Sequence, residues 1–193
     1  MMKNLKYLLL AVILFPLVGI VSSCSEETSA EENEFANWQE KNEAVIDQWA
    51  ANPAYRKILT YTKNADTPGL KNTDYIYVEV LEEGSGVETP LFTDTCRVAY
   101  RGHYIPTASY AEGLVFDQSY LGDFKWERAN TTNGASWVDG FSTALQHMRV
   151  GDRWRVRIPY TLGYGVSDYN NIPGYSNLVF EVALYDFWHP KKK

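Results

Sequence analysis

The chain has 193 residues, of which 45% are hydrophobic and 15% aromatic, which suits one domain with a real core plus short extensions. Its formal net charge is −6, from 18 basic and 24 acidic residues. An acidic chain without a stripe of Lys and Arg is not expected to bind nucleic acid. The three histidines are scattered without cysteine or carboxylate at ligand spacing, so we expect no metal and no cofactor.

Residues 1–23 are typical of a signal peptide. Lys3 and Lys6 precede an apolar run over residues 7–20 that is short for a membrane-spanning helix. The run ends in Val21-Ser22-Ser23-Cys24, which resembles a bacterial lipobox, so we expect Cys24 to carry lipid as the first mature residue. The alternatives are an uncleaved anchor or an ordinary signal peptide followed by a chance cysteine.

Residues 24–34 are predicted to be an acidic, solvated tether that holds the folded part away from the bilayer. Acidic residues directly after an acylated cysteine resemble surface-export signals of Bacteroidetes-type lipoproteins. The predicted location is therefore the cell envelope, as an outer-membrane lipoprotein facing either the periplasm or the surface. With Cys24 acylated, Cys96 has no partner, and we expect it to be buried without a disulfide.

Residues 35–63 are predicted to form an N-terminal helical extension. Its apolar stripe ends before Pro53, and one more helical turn follows around Ile58. The stripe consists of Phe35, Trp38, Val45, Ile46 and Trp49. Packing of this stripe on its own domain, with the protein a monomer, is the favoured interpretation. Dimerisation or capture of a client protein is the alternative.

Residues 64–189 are predicted to form an α+β domain, in which antiparallel strands are covered on one face by a short helix. Period-two alternation marks strands around Val78, Val98, Val156 and Val182. Phe141, Ala144, Leu145 and Met148 form one helical stripe that Gly151 is expected to end. Arg153, Arg155 and Arg157 alternate with the apolar residues of their strand and are predicted to form its solvated face.

Six short motifs occur in order between residues 70 and 187. They are Val98–Gly102, Phe116-Asp117, Trp137–Phe141, Tyr164-Gly165, Ile172-Pro173, and Leu178 with Phe180. Together they are similar to the FKBP-type peptidyl-prolyl isomerases, in a bacterial lipoprotein form that resembles gliding-motility-associated members. The resemblance implies an antiparallel sheet wrapped around one short helix. It also implies proline-containing polypeptide clients and a pocket for tacrolimus-type macrolides.

The resemblance also implies roles for individual residues. The expected catalytic residues are Tyr100, Phe116, Asp117 and Tyr164. The expected substrate-binding residues are Phe124, Trp126, Trp137, Val138, Phe141, Ile172 and Phe180. Asp117 is expected to face a substrate carbonyl, and the Tyr164 hydroxyl and the Ile172 N–H are expected to donate hydrogen bonds. Phe141 stands where the family usually has tryptophan, so we expect a slightly deeper pocket.

The chain departs from the family pattern at several places. The stretches from Gly102 to Phe116 and from Trp126 to Trp137 are longer than usual, and Ser136 replaces a common glutamate. Three functions therefore remain open. The favoured one is an isomerase that assists the folding of envelope or exported proteins. The others are a chaperone or assembly lipoprotein of the same fold with little turnover, and a structural lipoprotein with an inactive pocket.

The lipobox interpretation predicts that Cys24→Ala blocks maturation, because the thiol that would be acylated is gone. Palmitate labelling of cells that produce each form measures this. We expect label on the wild-type chain and none on the variant, and equal labelling of both would contradict the assignment.

Overall fold

The computed structural model describes residues 34–122, 124, 130–133 and 136–190, with only the backbone described for 130–133. The described residues form two α-helices, α1 and α2, two short 3-10 helices (Asn72–Asp74 and Tyr160–Leu162) and seven strands. The helices are α1 (Trp38–Ala51) and α2 (Asp139–Leu145). The strands are β1 (Arg56–Leu59), β2 (Tyr75–Glu82), β3 (Thr95–Tyr104), β4 (Val115–Gln118), β5 (Asn130–Asn133), β6 (Arg153–Ile158) and β7 (Leu178–Trp188). Cys24 and Trp126 lie outside the described residues, so their roles stay predictions.

The described strands form one antiparallel sheet in the order β1–β2–β6–β7–β3–β4, with β5 also pairing to β3. The α2 helix lies against one face of it, with Phe141, Ala144 and Leu145 fully buried. The predicted α+β fold is therefore confirmed. Cys96 is fully buried in β3, as predicted, and burial raises the pKa of its thiol to about 12.

The helix α2 packs very closely on β6 and is shorter than its apolar stripe. A Cβ built on Gly140 would lie 2.3 Å from Ile158 Cγ2, so the contact requires glycine. The helix ends at Leu145, where the N–H groups of His147 and Met148 both donate to the Ala144 carbonyl. Gly151, with φ of +94°, instead forms the turn into β6, so its predicted place at the helix end is wrong.

The segment after α1 was predicted to make another helical turn, and this is wrong. Residues Arg56–Leu59 form β1, which pairs antiparallel with β2 through Ile58 and Ile76. A four-residue strand is too short for its sequence pattern to separate it from a helical turn. The sheet therefore begins inside the region assigned to the N-terminal extension.

The helix α1 packs on its own domain through both apolar and polar contacts. Trp38, Ile46 and Trp49 are buried, and the Trp38 indole N–H donates to Ser176 Oγ at 2.8 Å. Asn42 is fully buried, and its Oδ1 accepts the backbone N–H of Asn177 at 2.8 Å. The Asn177 side-chain amide in turn donates to the Asn42 carbonyl at 2.6 Å. Within the described ranges, no helix is both long and apolar enough to cross a membrane.

The outer face of the sheet, opposite α2, is more covered than its arginine row predicts. The Arg157 side chain is 12% exposed, and its guanidinium lies 3.9 Å from the centre of the Tyr55 ring. Tyr77, opposite Arg157 in the register, is buried against Trp49 of α1. The prediction that all three arginines are solvated is therefore wrong for Arg157, because the N-terminal segment packs over this part of the face.

The buried hydrogen bonds between Asn42 of α1 and Asn177, directly before β7, predict a large loss of stability for Asn42→Ala. The change leaves the Asn177 N–H buried without an acceptor, which typically costs about 1–3 kcal/mol of unfolding free energy. Urea denaturation measures the difference. Gln48→Ala, on the exposed side of the same helix, is the matched control and should change stability by less than about 0.5 kcal/mol. Equal stability of the two variants would show that this contact does not anchor the helix.

Candidate active site

A cavity of about 480 Å³ opens between β4, the start of α2 and the segment that follows β6. It is lined by Asp117, Ser136, Trp137, Val138, Tyr164 and Tyr169. Four of these were predicted site residues, and Tyr169 and Ser136 are additions. The sequence motifs that are far apart in the chain thus meet at one opening.

The exposed floor of the cavity is Trp137 rather than Phe141. The two rings stack with centroids 4.2 Å apart and an interplanar angle of 19°, and Phe141 is completely buried beneath. Tyr100 meets Trp137 edge-on at 4.8 Å. The expected deepening of the pocket is therefore not found, because the Trp137 indole covers the phenylalanine.

An aromatic wall continues from this floor. Phe180 meets Phe141 at 4.9 Å and Phe116 at 5.5 Å between ring centroids. Gly102 permits this packing, since a Cβ there would lie 2.5 Å from Phe180 Cε1 and 2.7 Å from Phe116 Cζ. Tyr104, which the sequence analysis did not single out, lies 5.1 Å from Phe116 and extends the wall.

The polar groups of the pocket are fixed by one another. The Tyr100 hydroxyl donates to Asp117 Oδ2 at 3.0 Å. Burial, and then the Asp117 carboxylate, raise the pKa of Tyr100 well above its usual range. Burial and the neighbouring Tyr169 raise the pKa of Tyr164 in the same direction. Both tyrosines therefore stay neutral at ordinary pH and keep a proton to donate.

The expected role of the Ile172 N–H is not supported by the geometry. Ile172 and Tyr169 exchange backbone hydrogen bonds of 2.9 Å in both directions, so this N–H already has an acceptor. Val138 lines the cavity, and no hydrogen bond within the described part of the chain uses its N–H. The sequence could have indicated the Val138 N–H, because backbone N–H groups at the start of a helix lack helical acceptors.

The segment that carries Ile172 also places an aromatic ring over the site. Tyr169 stacks on Tyr164, with centroids 4.6 Å apart and planes within 10°. Asn170, with φ of +51°, forms the turn between Tyr169 and Ile172. The Gly174 N–H donates to Asp168 Oδ1 at 2.8 Å and closes the base of the same turn.

Phe124 is not among the described residues that line the cavity. Its ring lies 4.3 Å from the Arg153 guanidinium and 5.6 Å from the Tyr120 ring. Arg153 alternates with the core residue Trp154, so it belongs to the outer face of the sheet. The prediction that Phe124 binds substrate is therefore not supported by its position.

Comparison with known proteins gives related sequences over most of the chain. Residues 86–185 match the sequence profile of FKBP-type peptidyl-prolyl cis-trans isomerases. The chain is 29% identical over 184 residues to a macrophage infectivity potentiator of Trypanosoma cruzi, covering 94% of this chain and 82% of that protein. It is 33% identical over 150 residues to an FKBP-type 22 kDa peptidyl-prolyl cis-trans isomerase of Escherichia coli K12, covering 76% and 67% respectively.

Solved structures share the fold. A peptidyl-prolyl cis-trans isomerase from Pseudomonas syringae superposes with a TM-score of 0.59 at 22% identity, covering 80% of this chain and 96% of that one. FkpA from Escherichia coli gives the same TM-score at 24% identity, covering 82% and 63%. At these identities the likeness concerns the fold alone.

The buried tyrosines predict a loss of stability at alkaline pH. Burial, and then the proximity of Tyr164, raise the pKa of Tyr104 to about 12. Its contribution is therefore fully present below the ordinary tyrosine pKa near 10 and is lost as pH rises through about 12. Tyr104→Phe removes this titration, so between about pH 9 and about pH 11 the variant should lose less unfolding free energy than wild type.

Urea denaturation at the two pH values measures the difference. Tyr110→Phe is the matched control, because its side chain is exposed, and its stability should follow the wild-type pH dependence. An identical loss in Tyr104→Phe and wild type would contradict the prediction.

Proposed function

The chain belongs to the FKBP-type peptidyl-prolyl cis-trans isomerases, and we propose that it twists X-Pro bonds in the pocket between Tyr100, Trp137 and Tyr164. The observation that carries this proposal is an aromatic floor and wall with a tyrosine–carboxylate pair at its edge. Trp137 and Phe116 supply apolar surface, and Tyr100 holds Asp117 at 3.0 Å.

The isomerisation reaction is favoured by an apolar, aromatic pocket of this kind. Rotation about a peptide bond meets a barrier of about 18–20 kcal/mol, because resonance makes the planar amide polar. Water stabilises the planar form, whereas an apolar cavity favours the twisted amide, whose charge separation is smaller. Each ~1.36 kcal/mol of preferential stabilisation raises the rate tenfold. No covalent step or cofactor is required.

The site residues can be given roles on this basis. The proline ring lies on the Trp137 indole, between the Phe116 wall and the Tyr164 ring. Asp117, held by Tyr100, faces the carbonyl carbon of the twisting amide, where partial positive charge remains. The Val138 N–H takes the place expected for Ile172 and donates to a substrate carbonyl.

The natural substrates under this proposal are proline-containing polypeptides. An aliphatic or aromatic residue before the proline suits the aromatic rim, whereas an acidic one would meet Asp117. A tacrolimus-type macrolide would enter the same cavity and compete with the peptide. Uncatalysed isomerisation takes tens to hundreds of seconds, so a modest acceleration already assists a folding chain.

We also propose that the enzyme acts as a lipoprotein of the cell envelope. The support is the order of positive residues, apolar run and lipobox-like Val21–Cys24 in the sequence. In this arrangement the acidic tether places the pocket near newly exported chains. The Cys24→Ala labelling experiment tests the anchor separately from the activity.

An X-Pro peptide assay tests the site, and its variants should rank in a defined order. Phe116→Ala should reduce the rate most, because it opens the apolar wall to water. Tyr164→Phe and Asp117→Asn keep the shape and remove one polar interaction, so each should lower the rate about two- to tenfold. Circular dichroism of each variant checks that it is folded. If folded wild-type protein accelerates no X-Pro peptide, the isomerase proposal is wrong and a binding module of the same fold takes its place.

The proposed role of the Val138 N–H as a hydrogen-bond donor can be tested by a substitution that removes this N–H. Val138 has φ of −60°, which proline also adopts, so Val138→Pro removes the donor without requiring a new φ. We expect the rate to fall about two- to tenfold, from the loss of one hydrogen bond. Val138→Ala keeps the N–H and is the matched control. Equal rates for the two variants would assign the second donor elsewhere.

A further inference from the structure

A second cavity lies on the outer face of the sheet, away from the isomerase pocket. Its volume is about 400 Å³, and it is enclosed by α1, residues 105–113 and the outer faces of β3, β6 and β7. Its charged lining residues are Arg101, Arg155, Arg157, Glu112 and Glu181. Arg155 and Arg157 alternate with core residues of β6, which places this cleft and α2 on opposite faces.

Two arginines of this cleft are incompletely paired, because Arg155 and Arg157 share one carboxylate, Glu79, which lies outside the lining. Three arginines face two glutamates, and one of these, Glu181, is already bound by Arg153 through Nε and Nη2. Arg155 is held loosely, with its nitrogens 3.4 Å from Glu79 and 3.8 Å from Glu181. Arg157 uses Nη2 to bind Glu79 at 2.9 Å, but its buried Nη1 has no hydrogen-bond partner among the described residues. A buried donor without an acceptor is costly, but this nitrogen is closed to solvent. The cation open to an incoming anion is therefore Arg155, whose side chain is 37% exposed.

Residues 105–113, which form the roof of the cleft, are held in place by hydrogen bonds. The Ser109 N–H donates to Glu34 Oε2 at 3.1 Å and ties the roof to the segment before α1. The Thr107 N–H donates to the Tyr110 carbonyl at 3.0 Å. Gly113, with φ of +87°, lies so close to β3 that an added Cβ would be 1.9 Å from the Tyr104 carbonyl oxygen.

We propose that this cleft is a second binding site, which takes an amphipathic carboxylate, either a free organic acid or the end of a polypeptide chain. A carboxylate beside Arg155 would accept the charge-assisted hydrogen bonds that the arginine fork is built to donate. The apolar part of the ligand would lie against Val45, Trp49 and Val179, which line the same cleft. A volume near 400 Å³ is within the usual range for small-molecule sites.

Nuclear magnetic resonance titration of the isotope-labelled full chain tests the proposal with three probes. Hydrocinnamate is a free acid, N-acetyl-L-phenylalanine imitates a chain end, and N-acetyl-L-phenylalaninamide is the neutral match of the second. We expect saturable shifts of the Trp49 indole N–H signal with the acids, and at least tenfold weaker binding of the amide. Tighter binding of N-acetyl-L-phenylalanine would identify a chain end, and tighter or equal binding of hydrocinnamate a free acid.

Variants locate the binding on the arginines. Arg155→Gln should weaken binding of the acids at least fivefold, and Arg155→Lys should give an intermediate value, because it keeps charge without the planar fork. Arg97→Gln is the matched control, since its guanidinium lies over the Tyr185 ring and does not line the cleft. Isomerase rates should be the same in all three variants. Equal binding of acid and amide, or wild-type affinity in folded Arg155→Gln, would overturn the proposal.

Discussion

The helix α2 lies against β6 at a distance that only glycine at position 140 allows, with Ile158 Cγ2 occupying the space a Cβ would need. This contact fixes the level of the helix above the sheet, because protein cores are packed too densely to absorb a shift. Trp137 and Val138 directly precede the helix, so their positions follow from it. The stacking of Trp137 on Phe141 and the place of Val138 in the cavity lining are consequences of the same contact. The positions of Trp137 and Val138 in the pocket are thus set by backbone packing rather than by the pocket residues themselves.

The N-terminal helix α1 supports the opposite side of the pocket through a buried polar chain. Asn42 holds Asn177, and Asn177 Oδ1 accepts the Tyr160 N–H at 2.8 Å. The Tyr160 carbonyl then accepts the N–H of Gly165, next to Tyr164. A segment that the sequence marks as an extension is therefore linked to the loop that carries a site tyrosine. The same helix packs on the outer face of the sheet and lines the arginine-containing cleft through Val45 and Trp49. It therefore contacts both the cleft and the segment that leads to the isomerase pocket.

The sequence predicts the fold well wherever local pattern and tertiary burial agree. Alternation located β3, β6 and β7, and residues from the short motifs, Asp117, Trp137, Val138 and Tyr164, line one cavity. Failures occurred where long-range contacts decide. The strand β1 exists because β2 pairs with it, and Arg157 is only 12% exposed because Tyr55, which follows α1, packs over it. The Ile172 N–H already donates to the Tyr169 carbonyl. Phe124 lies in cation–π contact with Arg153 from another strand, which spacing along the chain does not encode.

The most direct test of the account is exchange spectroscopy of a short Phe-Pro peptide in the presence of the protein, combined with nuclear Overhauser measurements between the peptide and the Trp137 indole. We expect exchange cross-peaks between cis and trans peptide signals, together with contacts from the proline ring to Trp137. Exchange that remains at the uncatalysed rate, or catalysed exchange with the proline ring far from Trp137, would contradict it.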